Sequence, residues 1–134
     1  MPDHKIKFRV RYAETDQMGY VYYGNYAQYF EMGRVEWLRN KGITYKEMED
    51  NGIILPVIVL NINYHQPAKY DDHLTLTTTL IKKPLLKIEF DYQLQDENRM
   101  LLTTGNTTLV FVNKNNMKPT KAPNYLLEKL EGLF

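Results

Sequence analysis

The sequence predicts an α+β layer fold, one antiparallel sheet with a long helix buried against its face. Three observations carry that prediction. Residues 25 to 41 hold apolar side chains at helical spacing, four strand-like stretches follow, and 134 residues with 43% apolar content suit one core. No internal repeat, linker or low-complexity tract marks a boundary, so residues 1–134 read as a single domain.

The first strand is expected over Ile6 to Tyr12, where Ile6, Phe8, Val10 and Tyr12 alternate with Lys7, Arg9 and Arg11. Ala13 to Gly19 reads as a loop, followed by the tyrosine-dense run Tyr20 to Asn25. Gly24-Asn25 marks the helix start, because an asparagine side chain accepts hydrogen bonds from the free N–H groups of a first turn. Tyr26, Phe30, Gly33 and Trp37, with Tyr29 and Leu38 beside them, form the apolar stripe, and Glu31, Arg34, Glu36, Arg39 and Lys41 occupy the rest. Glycine inside a helix costs about 1 kcal/mol against alanine, so Gly33 predicts a close approach to neighbouring backbone.

Gly42 ends the long helix. Thr44-Tyr45-Lys46-Glu47 has the pattern of a capping box, opening a shorter helix that closes at Gly52. Ile53 to Tyr64, Leu74 to Lys82, Leu86 to Leu94 and Met100 to Asn113 supply the four strands, with turns at Asp96-Glu97-Asn98 and Asn113 to Asn116. Asn124 to Phe134 is amphipathic and reads as a final short helix. Consecutive strands joined by short turns favour an antiparallel sheet.

Seventeen basic against 16 acidic side chains give a formal charge of +1, which supplies no global field for nucleic acid or an anionic membrane. There is no cysteine, and reading every position finds no serine. Disulfides, thiolate chemistry and serine-triad hydrolysis are therefore excluded, and any hydrolysis has to rest on carboxylates. No glycine-rich phosphate loop or dinucleotide fingerprint occurs, so no cofactor is expected. The first residues alternate charge with apolar side chains, without a signal-peptide segment or transmembrane run, and the chain is read as cytoplasmic.

Asp16 is the leading candidate for chemistry, because it sits in the loop between the first strand and the start of the long helix. Helix N-termini carry free N–H groups and partial positive charge, which hold a carbonyl oxygen as negative charge develops on it. A carboxylate facing them can attack or activate water. The plainer alternative is that Asp16 caps a turn and the tyrosines are core. The aromatic set Tyr20, Tyr22, Tyr26, Tyr29 and Phe30 has two readings as well, acyl pocket or helix–sheet packing. His65 and His73 with Asp71 and Asp72 have metal-ligand types without metal-ligand spacing, so no metal is assigned. Glu31 and Glu36 read as a solvated helix face.

The run Tyr12-x-Glu14-Thr15-Asp16-x-x-Gly19-x-Val21-Tyr22-Tyr23-x-Asn25-Tyr26 resembles the signature of the hotdog-fold 4-hydroxybenzoyl-CoA thioesterase family. It is also similar to the small acyl-CoA thioesterases associated with the Tol-Pal system. Pro67-Ala68-x-Tyr70-Asp71-Asp72-x-Leu74, the strand from Lys87 to Leu94, Met117-Lys118-Pro119 and Pro123 extend the likeness over roughly Ile6 to Leu130. The resemblance implies a curved antiparallel sheet wrapped around one long central helix, assembled as a homodimer or homotetramer with sites between protomers.

By the same resemblance the chain hydrolyses an acyl-CoA thioester, Asp16 is nucleophile or general base, and the backbone N–H of Tyr23 polarises the carbonyl. Gly19, Val21, Tyr22, Asn25 and Tyr26 would shape the pocket. Lys82, Lys83 and Lys87 flank the segment that meets the CoA nucleotide in relatives and have two readings, contacts to its phosphates or a solvated charged edge. Two departures stand out. Many Tol-Pal-type relatives carry histidine where Tyr23 stands, and Pro84-Leu85-Leu86 replaces a basic segment, which leaves the carrier open between CoA and acyl carrier protein. The competing readings are a hotdog module that binds acyl groups or protein partners without catalysis, and a hydratase or dehydratase.

Overall fold

The computed structural model describes residues 2–134. Strand β1 (Asp3–Arg9) leads through a 3-10 turn at Tyr12–Glu14 and a second at Tyr23–Asn25 into helix α1 (Tyr26–Asn40) and helix α2 (Tyr45–Asp50). Then come β2 (Ile53–Ile54), β3 (Val57–Tyr64), β4 (His73–Leu80), β5 (Lys87–Gln95), β6 (Leu101–Val110), β7 (Val112–Asn113) and helix α3 (Asn124–Lys129). Five strands form one antiparallel sheet in the order β1-β4-β5-β6-β3, and β2 pairs with β7 beside it. The predicted α+β architecture, a long helix against a single antiparallel sheet, is the one observed.

The apolar stripe of α1 lies on the inner face of the sheet, whose strands supply it with every second residue, as in Leu74, Leu76 and Leu80 of β4 and Ile88, Phe90, Tyr92 and Leu94 of β5. Phe30 stacks on Tyr92 with ring centroids 4.3 Å apart, and Trp37 meets Phe90 edge-on at 5.5 Å. At Gly33 helix and sheet are in close contact: a Cβ there would stand 2.3 Å from Thr78 Oγ1 and 2.7 Å from Leu76 Cδ2. The close approach expected at Gly33 is thus to side chains of β4, not to backbone.

Several boundaries differ from the sequence reading. β1 runs from Asp3 to Arg9 instead of Ile6 to Tyr12, because Val10 N–H already turns to Asp72 and Arg11 opens the first 3-10 turn. Ile53–Tyr64 is split at Leu55-Pro56 into β2 and β3, since proline cannot donate to a ladder, and the last long strand breaks at Phe111 into β6 and β7. Arg34, assigned to the polar side of α1, is only 8% exposed, with its Nε donating to the Tyr45 hydroxyl at 3.0 Å. Thr44 does cap α2, its Oγ1 accepting from Glu47 N–H at 3.1 Å. α3 buries Leu126 in the core. Among the described residues no helix is long and apolar enough to cross a membrane.

β3 is paired on one side only, with β6, although β4 follows it in sequence. Val57, Ile58, Val59, Leu60 and Tyr64 along it are exposed. This apolar edge strand lies at the side of the sheet opposite β1.

Candidate functional site

The segment between β1 and α1 is folded by its own polar groups. The Asp16 N–H donates to Tyr20 C=O at 2.8 Å and Gly19 N–H returns to Asp16 C=O at 3.0 Å, closing a turn that Gly19 completes at φ +77°. The carboxylate of Asp16 takes part through Oδ1, which accepts from Met18 N–H at 2.9 Å and Tyr20 N–H at 3.2 Å. The turn-capping alternative for Asp16 therefore describes one of its two oxygens. Beside the turn, Val21 N–H bonds to Ala68 C=O at 2.8 Å and Tyr22 N–H to Glu14 C=O at 2.9 Å, which brings the chain to the start of α1.

Asn25 does not cap the helix as expected. The 3-10 turn places it in helical conformation already, at φ −78° and ψ −15°, and its side chain instead donates to Glu14 C=O at 2.8 Å. Among the described residues, the N–H groups of Tyr23 and Gly24 find no acceptor, and the first turn of α1 holds no acidic side chain. The helix thus presents unshielded donors and partial positive charge at this end.

Asp16, Met18, Tyr20, Val21, Tyr23, Tyr26 and Tyr64, with His65, Gln66 and Pro67, line one cleft of about 350 Å³. Tyr64 packs edge-on against Tyr26 at 5.2 Å, and its hydroxyl donates to Tyr23 C=O at 3.2 Å, so the end of β3 holds the 3-10 turn in place. The hydroxyl of Tyr26 accepts from Ala68 N–H at 3.3 Å, and burial pushes it above the usual tyrosine range. The cleft can therefore offer an apolar wall, one carboxylate and an amide donor to a small carbonyl compound.

Of the sequence candidates, Asp16, Val21, Tyr23 and Tyr26 border this cleft. Gly19 shapes its turn, Asn25 braces it from behind, and Tyr22 is exposed with its ring tilted against Tyr23 at 4.7 Å. Of the aromatic set, Tyr20 lines the cleft, Tyr26 lines it while also buried in the core, and Tyr29 and Phe30 lie in the core. Lys82, Lys83 and Lys87 are not brought to the cleft: they stand on the β4–β5 hairpin, where Lys82 pairs with Glu89 at 3.2 Å. The eight residues of β4 separate that hairpin from the Asp16 end by about 26 Å at the usual rise per residue. His65 approaches Thr104 Oγ1 at 3.1 Å while His73 begins β4, and no group of three metal-ligating side chains occurs among the described residues.

Sequence reasoning gave no role to Met18, Tyr64 or Gln66 on the cleft wall, nor to Glu14 behind it. The Glu14 carboxylate accepts from Arg11 N–H at 2.8 Å and from the Tyr29 hydroxyl at 3.0 Å. The contact with Tyr29 spans 15 positions, so only the local half, to Arg11, could have been found from spacing.

Residues 10–130 match the family model described as the thioesterase-like superfamily. An acyl-CoA thioesterase, YbgC, of Haemophilus influenzae is 32% identical over 126 residues, 92% of each chain. Among solved structures, a DHNA-CoA thioesterase from Staphylococcus aureus is similar with a TM-score of 0.90 and 34% identity, over 99% of this chain and 93% of that one. A hypothetical protein from Aquifex aeolicus is similar with a TM-score of 0.88 and 31% identity, over 96% of this chain and 99% of the other.

Proposed function

The chain belongs to the thioesterase-like superfamily, and from that premise we propose that it is a thioester hydrolase releasing free acid and CoA from an acyl-CoA. One observation supports this reading above the others: Asp16 and Tyr23, whose N–H has no partner, line the same cleft. The thioester carbonyl oxygen accepts from that N–H, and the start of α1 stabilises the negative charge that develops on it. Asp16 works through Oδ2, since Oδ1 is held by the Met18 and Tyr20 amides.

Two routes share this geometry. In the first, Oδ2 attacks the carbonyl carbon, the C–S bond breaks, CoA leaves as thiolate, and water hydrolyses the resulting anhydride. In the second, Oδ2 takes the proton from an attacking water, the C–S bond breaks, and the proton passes to the leaving sulfur. A thiolate is a good leaving group, so one carboxylate with carbonyl polarisation suffices without serine or cysteine. An acyl adduct on the Asp16 peptide after rapid quench marks the first route.

Asp16→Asn is the decisive variant, because asparagine keeps the Oδ1 acceptor for the turn and replaces the charged Oδ2 with a neutral NH2 group. Its kcat on acyl-CoA substrates is expected to fall by about 10³-fold, within the usual range for a lost acid–base or nucleophilic group, with the melting temperature unchanged. Wild-type hydrolysis by that variant across an acyl-CoA panel would overturn the reading. A wild-type protein that binds acyl-CoA and hydrolyses no thioester would instead support the non-catalytic module.

The same reading includes a homo-oligomer, dimer or tetramer, supported by the unpaired apolar edge of β3. With Lys82, Lys83 and Lys87 a strand's length from Asp16, their contact with CoA phosphates would come from a neighbouring copy. Acyl carrier protein is retained as an alternative carrier because Leu85 and Leu86 stand exposed between Lys83 and Lys87. Parallel assays with CoA and carrier-protein thioesters separate the two.

A further inference from the structure

Glu14 is the charged side chain beside the cleft to which the proposed reaction gives no task. It stands two residues before Asp16 with its side chain only 12% exposed. Its Oε1 accepts from Arg11 N–H and the Tyr29 hydroxyl, and the Arg11 guanidinium lies 3.5 Å from Oε2. Its carbonyl oxygen accepts from Tyr22 N–H and from the Asn25 side chain, the residues that flank Tyr23-Gly24. One residue therefore ties the turn before Asp16 to α1 and to both sides of the free amides. Tyr29 is fully buried, and burial with the Glu14 carboxylate beside it pushes its hydroxyl above the usual tyrosine range. It stays a donor wherever a thioesterase is assayed. A carboxylate so enclosed and charge-paired is a fixed point, not a mobile group.

We propose that Glu14 is a positioning residue: gripping Tyr29 with its carboxylate and the flanks of Tyr23 with its carbonyl, it sets the separation between the Asp16 carboxylate and the Tyr23 N–H. The proposal rests on the reading of Asp16 and Tyr23 as the reacting groups. Because a displacement on the order of 1 Å in such a pair costs about 10²-fold in rate, the effect belongs in kcat and not in KM.

The test compares Glu14→Ala, Glu14→Gln, Tyr29→Phe and Asp16→Asn on one acyl-CoA substrate, with kcat and KM separated and thermal melting recorded alongside. Glu14→Ala is expected to lose about 30- to 100-fold in kcat with KM within about threefold of wild type. Glu14→Gln keeps an acceptor oxygen for Arg11 and Tyr29 and is expected within about threefold of wild-type kcat, with Tyr29→Phe between the two. Wild-type kcat in Glu14→Ala beside an inactive Asp16→Asn overturns the positioning role and leaves the reading of Asp16 standing. Wild-type rates in Asp16→Asn overturn both. A Glu14→Gln as inactive as Asp16→Asn also overturns the proposal, since the charge itself would then be required. Should Glu14→Ala fail to fold, Tyr29→Phe decides: reduced kcat at unchanged KM supports the proposal and wild-type kcat overturns it.

Discussion

At the first turn of α1 the N–H groups of Tyr23 and Gly24 have no partner, Tyr23 and Met18 are exposed, and a cleft opens beside them. At the last turns of the same helix the inner side is closed: Trp37 and Leu38 are buried, the Trp37 indole N–H donates to Pro2 C=O at 2.8 Å, and Ile43 N–H closes the helix end on Leu38 C=O at 3.0 Å. The difference separates two demands on one element. Unpaired donors and exposed aromatics are tolerable at the open end because the closed end anchors the helix to the sheet.

Substitutions at the two ends should therefore fail in different ways. Asp16→Asn, at the open end, is expected to remove activity by about 10³-fold, about 4 kcal/mol of barrier, with little change in melting. Trp37→Ala, at the closed end, is expected to cost about 3–5 kcal/mol of stability by leaving a cavity against Phe90 and removing the indole hydrogen bond to Pro2 C=O. Denaturant unfolding and kcat on the fraction still folded test both. A Trp37→Ala protein with wild-type stability, or an Asp16→Asn protein that melts early, would break the division.

The closed end was easier to read from sequence. Tyr26, Phe30, Trp37 and Leu38 recur at helical spacing, and alternation along β4 and β5 reports buried faces regardless of partner. Arg34 was misassigned because its surroundings, Tyr45 of α2 and Tyr92 of β5, come from elements distant in sequence. At the open end the place of Asp16 in the loop was legible from its motif, while the Met18 and Tyr20 amides that hold its Oδ1 were not. The placement of β3 beside β6 likewise depends on pairing across more than 40 residues, as in Asn61 with Asn106, which local pattern does not encode.

The β4–β5 hairpin sits at the closed end, since Leu80 N–H also binds Pro2 C=O, the acceptor used by Trp37. This sharpens the role expected of its lysines. Combined Lys82→Ala, Lys83→Ala and Lys87→Ala is expected to raise KM for an acyl-CoA about tenfold at low salt, with kcat unchanged and the difference shrinking as salt rises. Unchanged KM at every ionic strength would remove these lysines from substrate binding.

A stability measurement probes how the closed end is held. Arg34 is a buried cation whose Nε relies on the Tyr45 hydroxyl, so Tyr45→Phe is expected to cost about 1–3 kcal/mol at neutral pH. Burial pushes the Tyr45 hydroxyl up to about 12, above its value of about 10 in an unfolded chain. A raised folded-state value means that the neutral form is preferred by the fold. Stability tied to Tyr45 is therefore complete below pH about 10 and declines toward 12, by about 1.4 kcal/mol per pH unit, as the unfolded chain ionises first. Tyr45→Phe lacks that titration, so the stability gap between wild type and variant should narrow between those values. Urea unfolding at a series of alkaline pH values measures it, and a gap that stays constant or widens would show that burial does not raise the Tyr45 hydroxyl, the pull of Arg34 on a tyrosinate having offset it.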